Sequence, residues 1–510
     1  MTISDLKVRV RFAPSPTGPL HVGGVRTALY NYLFAKRFGG DFILRVEDTD
    51  PRREVDGAIK YITDSFEWLG IMPDEGYGIG GEHGPYIQSE RKDIYKKHIE
   101  MLVESGHAYY AFDTSEELEK MRKDLEASGF GNAGYAGSVR DRMKNSLVLS
   151  AENVKNRLEA GDPYVIRFNM PRNEEVKFKD EVRGWVTFNT KTLDDKVIWK
   201  SSDGMPTYHL ANVVDDHLME ISHVIRGEEW ISSTPLHVLL YKAFGWDSPV
   251  YAHLPLILAP NKKKLGKRDG DMYGIPIFPI SWDYVNSDKE EVSITGFREV
   301  GYEPDALLNF VALLGWNPGD NREYMTLKEM SELFSVERIN KAGAMFDMKK
   351  LNAFNSHYLT TRNTNWILDR MDILPFGNGH SKDQLDMLAN MAAERVTFAS
   401  ELNGSLEYLF VRPSIDYDFK VKNLDEFEKV MNVFITKVDE IDWSSDGIRN
   451  EIYSISEGLE LKMGKVMPLL RVAISGGEPG PQLPDVIYLI GKDETRVRIK
   501  SLLGKLKEIV

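Results

Sequence analysis

The stretch from Lys7 to Val46 constrains the fold more than any other part of the chain. Lys7-Val-Arg-Val-Arg-Phe12 alternates polar and apolar residues and reads as a strand. Ala13-Pro-Ser-Pro-Thr-Gly-Pro19 then breaks it with three prolines and a glycine. Val25, Ala28, Leu29, Tyr32, Leu33 and Phe38 follow at the spacing of one apolar helix face. Gly39 and Gly40 end that helix, and Phe42-Ile-Leu-Arg-Val46 reads as the next strand. Strand, loop, helix, strand opens a βαβ unit, which implies a parallel sheet with helices on its faces.

The pattern changes further along. Helical spacing over 94–105 and 115–127 gives way to strand-like alternation over 164–168 and 182–188, an α+β insertion within the α/β domain. The βα pattern resumes near Tyr208, with a strand over 222–226. Thr234 then reads as an N-cap with Pro235 at N1, ahead of a helix over 236–244. Beyond about residue 325 helices dominate, over 327–334, 384–400, 424–438 and 446–456. The expected division is 1–85 with 200–255 as the sheet domain, 86–199 as the insertion, 256–330 as a basic-loop region, and 331–510 as an all-α region.

Composition narrows the chemistry. At 510 residues there is ample apolar surface for several cores. The absence of cysteine excludes disulfides, thiolate nucleophiles, Fe–S clusters and Cys-ligated zinc. The first residues lack a basic segment followed by an apolar one, and 254–258 is far too short to span a bilayer. The expectation is a soluble, cytoplasmic protein. Its net charge of −14 argues against indiscriminate coating of nucleic acid, but phosphate contacts need only a local basic surface. Lys262, Lys263, Lys264, Lys267 and Arg268 offer one. Arg496, Arg498, Lys500, Lys505 and Lys507 form a second cluster, which by itself reads as a solvated helix face.

Two segments carry chemistry. The Ala13–Gly24 turn places His21, Gly23 and Gly24 at a helix N-terminus, where unpaired amides and the positive dipole end suit an anion. The pattern is neither a dinucleotide fingerprint nor a P-loop. Lys262-Lys-Lys-Leu-Gly-Lys-Arg268, alone, would be a solvated basic loop. Paired with the first segment, its lysines could close over a triphosphate and neutralise charge on departing pyrophosphate.

Ala13-Pro-Ser-Pro-Thr-Gly-Pro-Leu-His-Val-Gly-Gly24 and Lys264-Leu-Gly-Lys-Arg268 resemble the two nucleotide motifs of class I aminoacyl-tRNA synthetases, and more closely those of the bacterial-type glutamyl-tRNA synthetase family. Arg45-Val-Glu-Asp-Thr-Asp50, Gly84-Pro-Tyr-Ile-Gln-Ser-Glu-Arg91, Thr207-Tyr-His-Leu-Ala-Asn-Val-Val-Asp-Asp-His217 and Val224-Ile-Arg-Gly-Glu-Glu-Trp230 extend the resemblance in the family's order.

The resemblance implies a Rossmann-like catalytic domain, an inserted acceptor-stem-binding domain, a stem-contact region around the basic loop and a helical anticodon-binding domain. It implies glutamate binding by Arg11, Ala13, Ser15, Glu47, Tyr208, Asn212 and Arg226. A guanidinium fork suits a carboxylate, and Glu47 suits the ammonium. Tyr208 and Asn212, four apart, share one helical face. It further implies ATP binding by His21, Gly23, Gly24, Glu229, Trp230, Lys264 and Lys267, with His21, Lys264 and Lys267 in catalysis. The implied partners are L-glutamate, ATP with Mg²⁺, and tRNA(Glu), which the family generally needs bound before it activates glutamate. The expected state is a monomer, with no protein-held metal.

Two features depart from the family pattern. Gly266 stands where the family usually has Ser, which adds backbone freedom to the loop. The cysteines that hold zinc in some relatives are missing. The polar segment 281–298 has no assigned task. Glutaminyl-tRNA synthetases usually carry His-Ile-Gly-His and a β-rich C-terminal part, whereas this chain has Gly24 and helical periodicity. A shortened relative that glutamylates a modified tRNA base lacks the anticodon-binding part. A non-catalytic tRNA- or nucleotide-binding relative is disfavoured by His21, Lys264, Lys267 and the pocket arginines.

Overall fold

The computed structural model describes residues 7–127, 134, 135, 137, 139–371, 380–413 and 424–509. It divides into two units, Met1–Leu351 and Asn352–Val510. In the first unit, β1 (Arg9–Phe12), α1 (Val22–Arg37) and β2 (Asp41–Leu44) form the expected βαβ opening, with Arg9 opposite Asp41 in parallel register. A short strand, Glu75–Gly76, extends the sheet beyond β2. On the other side of β1 runs β3 (His223–Gly227), which follows the helix α2 (Tyr208–Leu218). Ser222 makes this junction. Its amide donates to the Arg9 carbonyl and its hydroxyl accepts from the Arg9 amide, both at 2.9 Å. After α3 (Thr234–Phe244), β4 (Val250–Leu254) pairs in parallel with β3. Glu175–Asp180 joins the far edge through Asp180 and Tyr251.

Several expectations shift for physical reasons. The strand expected over 182–188 is half of a hairpin, Glu175–Asp180 with Gly184–Asn189, because the Asp180 carboxylate accepts the amides of Val182 and Arg183 and turns the chain there. Thr234 is the first helical residue rather than the N-cap, which is Ser233, so Pro235 is second. Phe38 does not join the apolar face of α1; it stands 53% exposed at the C-cap, its ring tilted against Phe34. β1 is buried along its whole length, including Arg9 and Arg11, whose charges meet acids from elsewhere in the chain.

The helix Lys92–Glu104 packs on an antiparallel sheet of Ala108–Ala111, Val165–Phe168, Val197–Lys200 and Met205–Pro206, whose last two strands run past residue 199, the end expected for the insertion. The polar segment 281–298 forms a hairpin, Trp282–Val285 with Glu291–Ile294. Trp282 stacks between Tyr61 and Tyr284, with ring centroids at 4.9 and 4.3 Å.

The second unit is helical. Lys382–Ala393, Leu424–Lys437, Ser445–Gly458, Met463–Ser475 and Leu483–Ile509 enclose a core that includes Leu388, Phe427, Phe434, Ile452, Leu470 and Ile487. The last helix is kinked at Gly491, whose φ of 83° suits glycine. The helix expected over 384–400 stops at Ala393, because the Glu401 carboxylate captures the amides of Thr397 and Phe398 and starts a separate turn. The C-terminal basic cluster is not one solvated face. Arg498 is buried and donates to the carbonyls of Tyr408 and Ile474, and Arg496 pairs with Asp439 at 2.6 Å.

Candidate active site

Ligands of open parallel sheets bind beyond the carboxyl ends of the strands. Here the segments leaving β1, β2, β3 and β4 all turn into one cavity of about 270 Å³. It is lined by Arg11, Ala13, Ser15, His21, Gly23, Gly24, Glu47, Tyr208, Asn212, Arg226, Glu229, Trp230 and Lys264. The glycine-lined bend and the basic loop therefore face the same space. Of the residues expected at this site, Lys267 cannot be placed. Its backbone opens the helix Lys267–Tyr273, but its side chain lies outside the described residues, as does that of Lys507 in the C-terminal cluster.

The nucleotide end is built on α1. His21 is its N-cap, and Nδ1 accepts from the Gly23 amide at 3.0 Å. That contact fixes the neutral tautomer and leaves Nε2–H as a donor. The crowding walls and the nearby Lys264 ammonium lower the His21 pKa, which keeps the ring neutral. Side chains crowd both glycines. A Cβ on Gly23 would lie 2.7 Å from the His21 ring, and one on Gly24 would lie 2.4 Å from Leu20 Cδ1. Lys264 pairs with Glu229 at 3.1 Å. Burial opposes ionisation of Glu229, but its own amide and Lys264 outweigh this and hold its pKa below the usual range. Trp230 packs against Tyr208 in a tilted pair with centroids 4.5 Å apart. Gly266 sits at φ −133° and ψ 177°, extended backbone open to any residue, and its amide donates to Asp269 at 3.0 Å. This conformation does not use the freedom that glycine brings.

The other end is an ionic network that sequence reasoning only partly found. Arg11 forms a two-pronged pair with Asp216, at 3.0 and 3.2 Å. Arg45 donates to Asp216 at 2.8 Å and to Glu47 at 3.0 Å, and Asn212 donates to Glu47 at 3.1 Å. Arg91, Gln88 and Tyr95 converge on Asp215. Burial would raise the Asp216 pKa, but Arg11 and Arg45 outweigh it and hold it low. For Glu47 burial wins over Arg45 and Asn212, and its pKa is raised. Arg45, Asp215 and Asp216 had no assigned role. A signal existed: Asp215 and Asp216 follow Asn212 by three and four residues, hence on its helical face.

Arg226 is held differently. Nε donates to His253 Nε2 at 3.1 Å, Nη1 to the Tyr208 hydroxyl at 3.1 Å, and Nη2 to Thr234 Oγ1 at 3.0 Å. His237 and the Trp230 carbonyl lie at 3.5 Å, too far for full bonds. Among the described residues no carboxylate pairs with this buried guanidinium. Thr234, expected as a cap, instead presents its hydroxyl to Arg226. A second cavity of about 220 Å³ shares Ser15, Glu47, Tyr208 and Trp230, and adds Asp48, Asp50, Lys200 and Thr207. Among the described residues, no three His, Asp or Glu side chains gather as a metal-ion site.

A parallel sheet with a nucleotide-suited helix N-terminus, a facing lysine loop and paired arginines defines a class I aminoacyl-tRNA synthetase catalytic unit. The chain belongs to the family described as tRNA synthetases class I (E and Q), catalytic domain, whose model matches residues 7–353; a second model, an anticodon binding domain, matches residues 359–503. Similar curated proteins over nearly the whole chain include several named glutamate–tRNA ligase. That of Flavobacterium johnsoniae is 48% identical, covering 98% of this chain and 99% of its own. That of Bacteroides thetaiotaomicron is 46% identical, covering 99% and 100%. A crystal structure of a glutamate tRNA ligase from Elizabethkingia meningosepticum, in complex with its amino acid, matches with a TM-score of 0.86 at 46% identity, over 98% of this chain and 99% of that one.

Proposed function

We propose that this chain attaches L-glutamate to tRNA(Glu) in two ATP-driven steps. One observation carries the substrate assignment. Arg226 is a buried guanidinium facing the cavity with neutral partners only, so its charge awaits an anionic side chain. Glutamate supplies that carboxylate and glutamine does not. Arg11, with its charge already met by Asp216, orients the reacting carboxylate without stabilising it deeply. In this reading Ala13 and Ser15 border that carboxylate, and Glu47 takes the ammonium, steadied by Asn212. Tyr208 positions Arg226 through its hydroxyl.

In the first step a carboxylate oxygen bonds to the α-phosphorus of ATP, and pyrophosphate leaves with the electron pair of the broken P–O bond. His21 donates from Nε2 to a phosphate oxygen, the amides of Gly23 and Gly24 approach the nucleotide, and Glu229 and Trp230 border it. Lys264 leaves Glu229 to meet the departing charge, joined by Lys267. Such chemistry depends mainly on positioning and charge stabilisation. Mg²⁺ would arrive on the ATP phosphates, keeping most of its waters. In the second step a terminal ribose hydroxyl of the tRNA attacks the activated carbonyl and AMP leaves. Residues 86–199 are assigned to the acceptor stem, 256–330 to the basic loop and stem contact, and 331–510 to the anticodon. The reading is of a cytoplasmic monomer.

The test is charging of purified tRNA(Glu) and tRNA(Gln) with glutamate and with glutamine, side by side. Glutamate should be joined to tRNA(Glu). Charging with glutamine alone overturns the substrate assignment, and no charging with either amino acid overturns the enzymatic one.

A further inference from the structure

We infer that Asp180 and His253 are positioning residues that set the preference for a carboxylate side chain, by anchoring Arg226 while leaving its fork open. This rests on the reading of the cavity as a glutamate site. A buried guanidinium needs a counter-charge, and the usual partner is a carboxylate in direct contact. In this site such a partner would occupy the nitrogens that the substrate must reach.

The structure places the counter-charge one imidazole away. His253 donates from Nδ1 to Asp180 Oδ2 at 2.6 Å and accepts from Arg226 Nε at 3.1 Å. Asp180 Oδ1 takes the amides of Val182 and Arg183 at 3.0 and 2.8 Å, and Oδ2 also takes the His253 amide at 3.1 Å. Those four bonds fix the carboxylate, and both side chains are fully buried. An ionised Asp180 accepts only, so Nδ1 of His253 must carry the proton and Nε2 must carry the lone pair. The pKa values agree. Burial and the Arg226 charge lower that of His253, and the His253 and amide contacts hold that of Asp180 down against burial.

The consequence lies at the other end of Arg226. With Nε anchored, Tyr208 and Thr234 each take one proton from a terminal nitrogen. The second proton on each has only a 3.5 Å neighbour, His237 or the Trp230 carbonyl. The two-proton edge matches both oxygens of a carboxylate. An amide would set an N–H₂ against one of those donors. An unanchored fork could pivot and lose that discrimination.

Asp180→Asn and His253→Leu perturb the chain in different ways. An amide at 180 can satisfy the Val182 and Arg183 amides only by turning N–H₂ toward His253, which forces the other tautomer and sets N–H against the Arg226 Nε–H. In aminoacylation by the full chain, both variants should raise the glutamate KM by about tenfold. Their kcat and ATP KM should stay within about threefold, and the preference for glutamate over glutamine should fall by a similar tenfold factor. His253→Gln, which keeps an acceptor for Arg226, should recover most of the affinity, whereas His253→Asn, which reaches only Asp180, should not.

Unchanged glutamate KM and unchanged preference in folded Asp180→Asn and His253→Leu overturn the inference. Should those two fail to fold, equal KM values for His253→Gln and His253→Asn overturn it. Wild-type chain that charges no glutamate defeats the functional reading instead, so the two failures are distinguishable.

Discussion

Asp216→Asn is the sharpest probe of how the fold and the cavity depend on each other. The amide is isosteric, so it removes charge and one acceptor without opening space. Oδ1 of Asp216 serves both Arg11 Nε and Arg45 Nη1, whereas Oδ2 serves Arg11 Nη2. If the amide oxygen takes the shared position, the loss is the Oδ2 bond and the counter-charge of Arg11. Arg45 keeps Glu47 at 3.0 Å and Asp215 at 3.7 Å, but Arg11 keeps no other carboxylate among the described residues. Breaking one side of a buried pair typically costs about 3–5 kcal/mol, and the remaining acceptor points to about 3. At about 2.1 cal/mol/K of unfolding entropy per residue, a unit spanning Met1–Leu351 shifts by roughly 1.4 °C per kcal/mol, so the melting temperature should fall by about 4 °C. Differential scanning calorimetry of the full chain reads this, in the transition that ATP shifts upward.

The same substitution predicts an acid-limb change with a definite sign. Folded Asp216 has a depressed pKa, so its contribution is fully present above the unfolded value near 3.9 and is lost as pH falls through the folded one. Asp216→Asn should therefore lose less stability than wild type below about pH 4. A shift under 1 °C at neutral pH, with an unaltered acid limb, would refute the idea that Asp216 neutralises Arg11 in the folded chain.

Three further outcomes follow from the site. Arg226→Ala removes two charge-assisted bonds to the substrate carboxylate, each worth about 1.5–3 kcal/mol, so steady-state titration should show the glutamate KM raised at least about 100-fold, with a smaller change in kcat. Lys264→Ala should lower adenylate formation about 100-fold, read by pyrophosphate exchange in the presence of tRNA, while calorimetric glutamate affinity stays within about threefold; normal exchange would remove Lys264 from the reaction. Gly266→Ser fits the extended backbone, with only Asp269 Oδ2 near a new Cβ at 3.7 Å. Completing a reciprocal cap there should add a few tenths of a kcal/mol and leave charging intact; a marked loss of activity would show that the loop needs glycine to move.

The local elements of the first forty residues were legible because they rest on short-range physics. Alternation in Lys7–Phe12, the proline break and the Gly39–Gly40 stop act within a few residues, and the structure has β1, α1 and β2 there. Gly23 and Gly24 were legible as part of a helix N-terminus, and the structure opens α1 at Val22. Boundaries were less so: Thr234 binds Arg226, beyond the reach of a local pattern, and Glu401 captures amides within four residues, a competing local bond that apolar periodicity does not register.

By itself, the sequence determined the βαβ opening, the helical character of the C-terminal part and the residue types at the cavity, because periodicity and motif spacing are properties of neighbouring positions. Only the tertiary structure decided which charges are neutralised and which are left open. Arg11 and Arg226 look alike as letters, yet one meets Asp216, 205 residues away, and the other meets an imidazole backed by Asp180. The physical reason is that burial makes electrostatics depend on distance in space and on access of water, and neither is written in the order of the chain.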